Sequence, residues 1–162
     1  MKKRWICLYV ENEIGVLARI SGLFSGKSYN LNSLTVGTTE DETISRMTIS
    51  LTSDDKTFEQ IKKQLNRSVE VIKVVDYTDI PVHRKELVFI RVGACSETDK
   101  TEIFRLGQVY GYRIADYGKD SVLLEGVQTE EKNDELIHRL EGFFCNRIEI
   151  ARGGSVAVER VI

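Results

Sequence analysis

The feature that most constrains the fold is an order of predicted strands and helices that occurs twice, on either side of the only proline, Pro81. In the first half, stretches of alternating apolar and polar residues predict four strands, at 4–11, 30–36, 44–51 and 69–77. Helical spacing of apolar residues predicts one helix after Gly15 and a second after the cap cluster at 53–55. The predicted order of the first half is therefore βαββαβ.

The second half repeats this order after the segment 78–84. Its predicted strands are 86–92, 112–117, 121–127 and 147–151, its predicted helices are 99–110 and 130–144, and 155–161 could form one more strand. We therefore predict the α+β class, with two tandem ferredoxin-like sandwiches, each an antiparallel sheet with two helices on one face. We assign 1–78 to the first domain, 79–84 to a linker and 85–162 to the second domain.

Charge, cysteine content and the first apolar stretch argue against several classes of protein. The 23 Lys and Arg residues against 25 Asp and Glu residues give a net charge of -2, which argues against nucleic-acid binding driven by phosphate neutralisation. Cys7, Cys95 and Cys145 are an odd number without CxxC spacing, which favours reduced thiols and a cytoplasmic protein. Because the polar segment 11–13 interrupts the first apolar stretch, we expect neither a signal peptide nor a membrane span.

The sequence offers little for catalysis. His83 lies in the predicted linker and His138 on a predicted helix among charged residues, so both are expected to be solvated. No nucleophile elbow, zinc-protease, P-loop or dinucleotide-binding pattern occurs. We therefore predict no catalytic residues, no metal site and no cofactor in this chain.

The junction between the first strand and the first helix could hold a carboxylate. A helix start presents unpaired N–H groups and a positive dipole end. Gly15 would allow close approach of the backbone, and Asn12 carries an amide that can both donate and accept. Taken alone, these residues favour an ordinary helix cap and turn over a ligand site.

A second candidate position lies at the start of the second strand. Asn30 could bind an α-amino or α-carboxylate group, and Leu31 could form part of an apolar pocket, although asparagine is also ordinary in turns. Each half has a thin core and a sheet with an open face and open edges, from which we predict a homodimer. Such a dimer would make one site of Asn30 and Gly15 if it brought them together from different subunits.

Both positions belong to a longer pattern. The segment VENEIGVLARISGLFSGKSYNLNSLTVG at 10–37, ISRMTISL at 44–51 and EQIKKQLNRSVEVIKVVD at 59–76 together resemble the ACT domain of the acetohydroxyacid (acetolactate) synthase small subunits. EIFRLGQVYGYRIADYGKDSVLLEG at 102–126 and RIEIARGGSVAVER at 147–160 are similar to the rest of that family. The resemblance extends over essentially the whole chain.

The resemblance implies a regulatory subunit without activity of its own. Its partner would be a large thiamine-diphosphate enzyme, also carrying Mg and FAD, which condenses 2-oxo acids at the entry to branched-chain amino-acid synthesis. The small subunit would activate that enzyme and confer feedback inhibition, usually by valine. Carried over to this sequence, one subunit would line the valine site with Asn12, Gly15, Val16 and Leu17, and the other with Asn30 and Leu31.

Two departures from the family pattern lie in the second half. Tyr110-Gly111-Tyr112 stands where the family often has an arginine, and Gly153 replaces a common Ser or Thr. On this basis the effector could also be leucine or isoleucine, and inhibition could be weaker.

Other proteins share the βαββαβ order. RNA-binding RRM domains need exposed aromatic residues on their first and third strands; here Trp5 and Tyr9 lie on the first, and the third has none. An acylphosphatase-like enzyme would need an arginine beside a phosphate loop, and we place Arg19 in solvent, opposite the apolar stripe. A stand-alone amino-acid sensor with another client is the remaining alternative.

Overall fold

The computed structural model describes residues 1–26 and 29–161. The chain divides into two compact units, one formed by Met1–His83 with Val156–Ile162 and the other by Arg84–Ser155. Our sequence-based boundary placed all of 85–162 in the second domain. The difference at the C-terminus arises because Ala157, near the end of the chain, packs on the first unit.

The first unit consists of β1 (Lys2–Glu11), α1 (Val16–Ser25), β2 (Leu31–Thr38), β3 (Ile44–Ser53), α2 (Asp55–Leu65) and β4 (Val71–Asp76). Its four strands form an antiparallel sheet in the order β2-β3-β1-β4, so β2 and β4 are the edges. This is the ferredoxin-like arrangement that the sequence predicts.

Alternation along β1 decides which side chains meet the helices. Ile6, Leu8 and Val10 are fully buried and pack with the apolar stripes of α1 and α2. Asp54 begins α2 by accepting a hydrogen bond from the Thr57 N–H at 2.7 Å, as the cap cluster predicts.

The opposite face of this sheet is partly covered, whereas the sequence predicted an open face. Trp5 and Cys7 point away from the helices, yet they are buried in a small cluster with Tyr77 and Ala157. Arg46 of β3 anchors the covering segment, because its Nη2 donates to the Ala157 carbonyl at 2.6 Å. Residues at the C-terminal end of the chain thus shield apolar surface of the N-terminal unit.

The second set of elements repeats the first topology. It consists of β5 (Val82–Val92), α3 (Glu97–Tyr110), β6 (Arg113–Tyr117), β7 (Val122–Gln128), α4 (Glu130–Phe143) and β8 (Ile148–Glu159), with the strand order β6-β7-β5-β8. β5 begins at Val82, inside the segment that we predicted as a linker.

The C-terminal strand corrects the sequence analysis. The sequence pattern predicted a strand at 147–151 and a possible further strand at 155–161. Instead β8 is one strand of 12 residues, and Gly154 adopts a positive φ of 78° within it. The strand begins in the second unit and its last residues belong to the first.

Candidate functional site

The start of α1 differs from the starts of the other helices in the described chain. Asp54, Ser96 and Thr129 cap α2, α3 and α4 through their side chains, and each of these helices has an acidic residue in its first turn. α1 has neither; its N-cap is Gly15, in the left-handed region at φ 85°. The Val16 N–H bonds the Glu13 carbonyl, but those of Leu17 and Ala18 have no partner among the described residues. The positive end of this helix dipole therefore lacks the capping side chain and the first-turn carboxylate that the other three helices have.

Arg19 lies directly over this helix start, contrary to our expectation that it is simply solvated. A Cβ built on Gly15 would lie 3.2 Å from Nη1 of Arg19. Nε of Arg19 forms an ion pair with Oε1 of Glu70, at 2.5 Å. The i to i+4 spacing from Gly15 was the signal available in the sequence, because residues four apart are neighbours on a helix.

Asn12 ties the strand–helix loop to the β2–β3 hairpin and does not cap α1. Its Nδ2 donates to the Glu42 carbonyl at 2.8 Å, and its Oδ1 accepts from the Ser45 hydroxyl at 3.0 Å. In the same hairpin, hydrogen bonds from Thr43 hold the pKa of Asp41 below its ordinary value. Within the subunit, these two contacts make Asn12 a residue that fixes the loop. One of its amide hydrogens is not used by them.

The two apolar residues predicted to line the site have different environments. Val16 is buried in the core, so it can support the site from below but offers little surface to a ligand. Leu17 is 46% exposed, and Ile14, which we did not select, is fully exposed beside Gly15. The apolar surface available at this helix start comes mainly from Leu17 and Ile14.

The remaining predicted residues, Asn30 and Leu31, lie at the other end of the same sheet. Leu31 pairs with Leu51, which pairs with Arg4 near the beginning of β1. Glu11, at the end of β1, is seven residues further on, about 23 Å at roughly 3.3 Å per residue. Asn30 is exposed just before β2. Within one chain, therefore, Asn30 and Leu31 do not meet Gly15.

The structure offers little support for RNA binding through the first strand. Trp5 is only 3% exposed, so it cannot stack on an RNA base as an RRM would require. Within residues 1–26 and 29–161, no three His, Cys, Asp or Glu residues are grouped to hold a metal ion. Among the helices described, none is long and apolar enough to cross a membrane.

Comparison with known proteins defines the family. A family model described as the AHAS small subunit-like ACT domain matches residues 6–73, and one described as the small subunit of acetolactate synthase matches residues 85–161. The acetolactate synthase small subunit of Aquifex aeolicus is 39% identical, with 99% of this chain and 82% of that protein covered. A probable acetolactate synthase small subunit of Archaeoglobus fulgidus is 44% identical, with 98% and 97% covered.

The chain belongs to the acetolactate synthase small subunit family. The crystal structure of the small subunit from Thermotoga maritima superposes with a TM-score of 0.86 at 32% identity, covering 100% of this chain and 99% of that one. Membership makes the protein a non-catalytic regulatory subunit with an N-terminal ACT domain, as the sequence predicted.

The departures from the family pattern are accommodated within the second unit. Tyr112 is buried; its ring occupies the space left by the missing side chain of Gly126, and its hydroxyl donates to Asn133. Asn133 in turn donates to Glu86, which also pairs with Arg152 at 2.8 Å. For Gly153, an added Cβ would make only ordinary contact, 3.4 Å from the Leu87 carbonyl, so the structure does not explain the absence of a Ser or Thr.

Proposed function

We propose that this small subunit binds valine, or another branched-chain amino acid, and uses its occupancy to regulate a catalytic large subunit. The observation that carries the proposal is the uncapped start of α1, where free N–H groups and the Arg19 guanidinium face the same space beside Gly15. An amino-acid carboxylate complements both. Leu17 and Ile14 offer apolar surface to a branched side chain.

A homodimer would complete the site. β2 is an edge strand, and its end, Thr38, pairs with Ser45, whose hydroxyl bonds Asn12 beside the α1 loop. If two copies pair antiparallel along β2 about a two-fold axis, the first residues of one β2 lie beside the last residues of the other. Asn30 and Leu31 of the partner subunit would then reach the end of the sheet that carries Gly15.

Family membership supports a proposal for the partner and for the location. The large subunit is proposed to carry thiamine diphosphate, Mg and FAD and to perform the condensation of 2-oxo acids, in the cytoplasm. Inhibition requires only that the amino acid bind more tightly when the complex is in its less active state, and 1–3 kcal/mol is the usual scale of such coupling.

The decisive experiment is reconstitution with the large subunit from the same organism. Acetolactate formation is measured with the large subunit alone, after addition of this chain, and after further addition of each branched-chain amino acid. We expect activation by the chain and inhibition by valine. Failure of the chain to alter the activity at all would contradict the proposed partner. Activation without an effect of any of the three amino acids would contradict the proposed effector.

The dimer has its own test, in which the two sheet edges serve as a matched pair. Val36 on β2 and Ile72 on β4 are both exposed aliphatic residues, at 45% and 54%. We expect Val36→Lys to weaken dimerisation and valine binding together, because it places like charges along a shared edge, and Ile72→Lys to preserve both. Light scattering and calorimetry measure the two effects. A dimer undisturbed by Val36→Lys but dissociated by Ile72→Lys would assign the interface to β4.

A further inference from the structure

We infer that Arg19 receives the carboxylate of the effector, and that it does so by exchanging its ion pair with Glu70. This inference rests on the amino-acid site proposed above. It adds that the ion pair between Arg19 and Glu70 is replaced by one between Arg19 and the effector when the site is occupied. The ligand class is a free α-amino acid with an ionised carboxylate. The responding segment is the turn between α2 and β4, which contains Glu70.

The position of the guanidinium carries the first step. Arg19 lies one helical turn after Gly15, and its Nη1 approaches the place of the missing Cβ to 3.2 Å. The side chain therefore folds back over the start of its own helix. A carboxylate drawn to the N–H groups of Leu17 and Ala18 would come within reach of this guanidinium. A side chain at position 15 would compete with the Arg19 guanidinium for this space, and the positive φ of 85° also favours glycine there.

The contact with Glu70 carries the second step. The Arg19 side chain is 52% exposed and that of Glu70 is 21% exposed, so the pair is only partly buried and its contribution to stability is modest. A second carboxylate on the same guanidinium would be repelled by Glu70. Binding of an effector carboxylate therefore favours release of Glu70, at small cost, and the effector gains a charge-assisted hydrogen bond.

Release of the Glu70 side chain would change the position of the turn that contains it. Its carbonyl accepts from the Glu11 N–H at 3.0 Å, which ties the turn to the end of β1. The adjacent Val69 is almost fully exposed. The occupied and empty states would thus differ in the position of a charged group beside an exposed apolar residue, which a bound large subunit can distinguish.

The test compares opposite effects of the two partners in the ion pair. Calorimetry of the full chain measures the affinities for L-valine and for L-valinamide, which lacks the carboxylate charge. We expect Arg19→Gln to weaken L-valine binding about 10- to 100-fold, because it removes a charge-assisted hydrogen bond, and to leave L-valinamide binding largely unchanged. Glu70→Gln should tighten L-valine binding about 1.5- to 5-fold, because it removes a competing, partly exposed ion pair.

The chain provides a matched control in the pair Arg113–Glu125, at 2.7 Å with side-chain exposures of 69% and 26%. Arg113→Gln and Glu125→Gln should leave both affinities at their wild-type values, and thermal unfolding establishes that every variant is folded. L-valine binding unaffected by Arg19→Gln would overturn the inference while the proposed effector site stands. Weaker L-valine binding in Glu70→Gln would overturn the exchange. Absence of binding by the wild-type dimer would remove the proposed site and this inference with it.

Discussion

At the scale of single residues, the effector site depends on what is missing at position 15. The backbone there has φ 85°, a conformation that glycine adopts without steric cost. The absent side chain also leaves the space into which Arg19 folds. One glycine thus exposes the N–H groups of α1 and admits a positive side chain beside them.

We expect Gly15→Asp to abolish valine inhibition while the large subunit is still activated. Aspartate tolerates the left-handed region better than most residues, so the loop should keep its shape. Its carboxylate would lie beside the Arg19 guanidinium and the helix start, where it would replace and repel the carboxylate of valine. Inhibition curves of the reconstituted enzyme measure the effect.

The control for this change is Gly111→Asp in the second unit. Gly111 also has a positive φ, 72°, and a Cβ there would meet the flexible end of a glutamine at 3.2 Å. It therefore has a similar backbone strain and the same added charge, but it belongs to the unit that does not contain α1. Full valine sensitivity in Gly15→Asp, or an equal loss in Gly111→Asp, would argue against a carboxylate site at the helix start.

At the scale of elements, the alternation of apolar and polar residues predicted the strands well, because one face of each sheet is buried against helices. The pattern in β1 separates Leu8, in the helix-facing core, from Trp5 and Cys7 on the other face. The pattern could not show that the end of β8 covers that second face, because this contact joins residues about 150 positions apart. Nor could it show that β8 is continuous, since two glycines are a common sign of a loop.

The candidate site was only partly predictable for similar reasons. Local sequence located the helix start at Gly15, because a strand signal there gives way to a helical one. Asn12 was expected at a cap, but its partners, Glu42 and Ser45, are 30 and 33 residues away in the β2–β3 hairpin. Arg19 was assigned to solvent because helical periodicity describes the direction of a Cβ and not the path of a long flexible side chain.

The contact between β7 and the residue before β6 gives a prediction for the second unit. The Tyr112 ring packs directly on Gly126, and any Cβ at position 126 would overlap it. We expect Gly126→Ala to lower the free energy of unfolding by about 1–3 kcal/mol, as overpacking of a core does. Gly142→Ala is the control, because the space around Gly142 is open. Chemical denaturation measures both, and equal stabilities would contradict the packing described.

At the scale of the whole molecule, each unit contains one buried tyrosine that resists ionisation. Burial raises the pKa of Tyr77 to about 12, and burial with the nearby Glu86 raises that of Tyr112 to about 12. An unfolded tyrosine has a pKa of about 10. Each raised pKa therefore adds to the free energy of unfolding below about pH 10, and this contribution is lost as the pH rises toward 12. Tyr77→Phe and Tyr112→Phe should each flatten the decline measured by denaturation between those values. A decline unchanged in both variants would contradict these assignments.

The end of the chain connects the folding of the N-terminal unit to the integrity of β8. Ala157 lies against Trp5 and Cys7, and its carbonyl accepts from Arg46. The same arginine donates to the Tyr77 hydroxyl at 3.0 Å and to the Cys7 sulfur at 3.1 Å. Loss of Ala157 would therefore expose apolar side chains and remove an acceptor from a partly buried charge.

We expect truncation after Ser155 to expose Trp5, the only tryptophan, and to destabilise the N-terminal unit by roughly 1.5–3 kcal/mol, the scale of a hydrogen bond to a charged group. Its fluorescence should shift to longer wavelength, and Cys7 should become reactive toward thiol reagents. Truncation after Glu159 keeps Ala157 and separates this contact from a general effect of shortening the chain. If Trp5 is exposed by truncation after Ser155 and not by truncation after Glu159, the last residues of β8 cover the face of the ACT-domain sheet opposite its helices. Identical Trp5 fluorescence in both truncations and in the intact chain would mean that Trp5 is shielded from water without the last residues of β8.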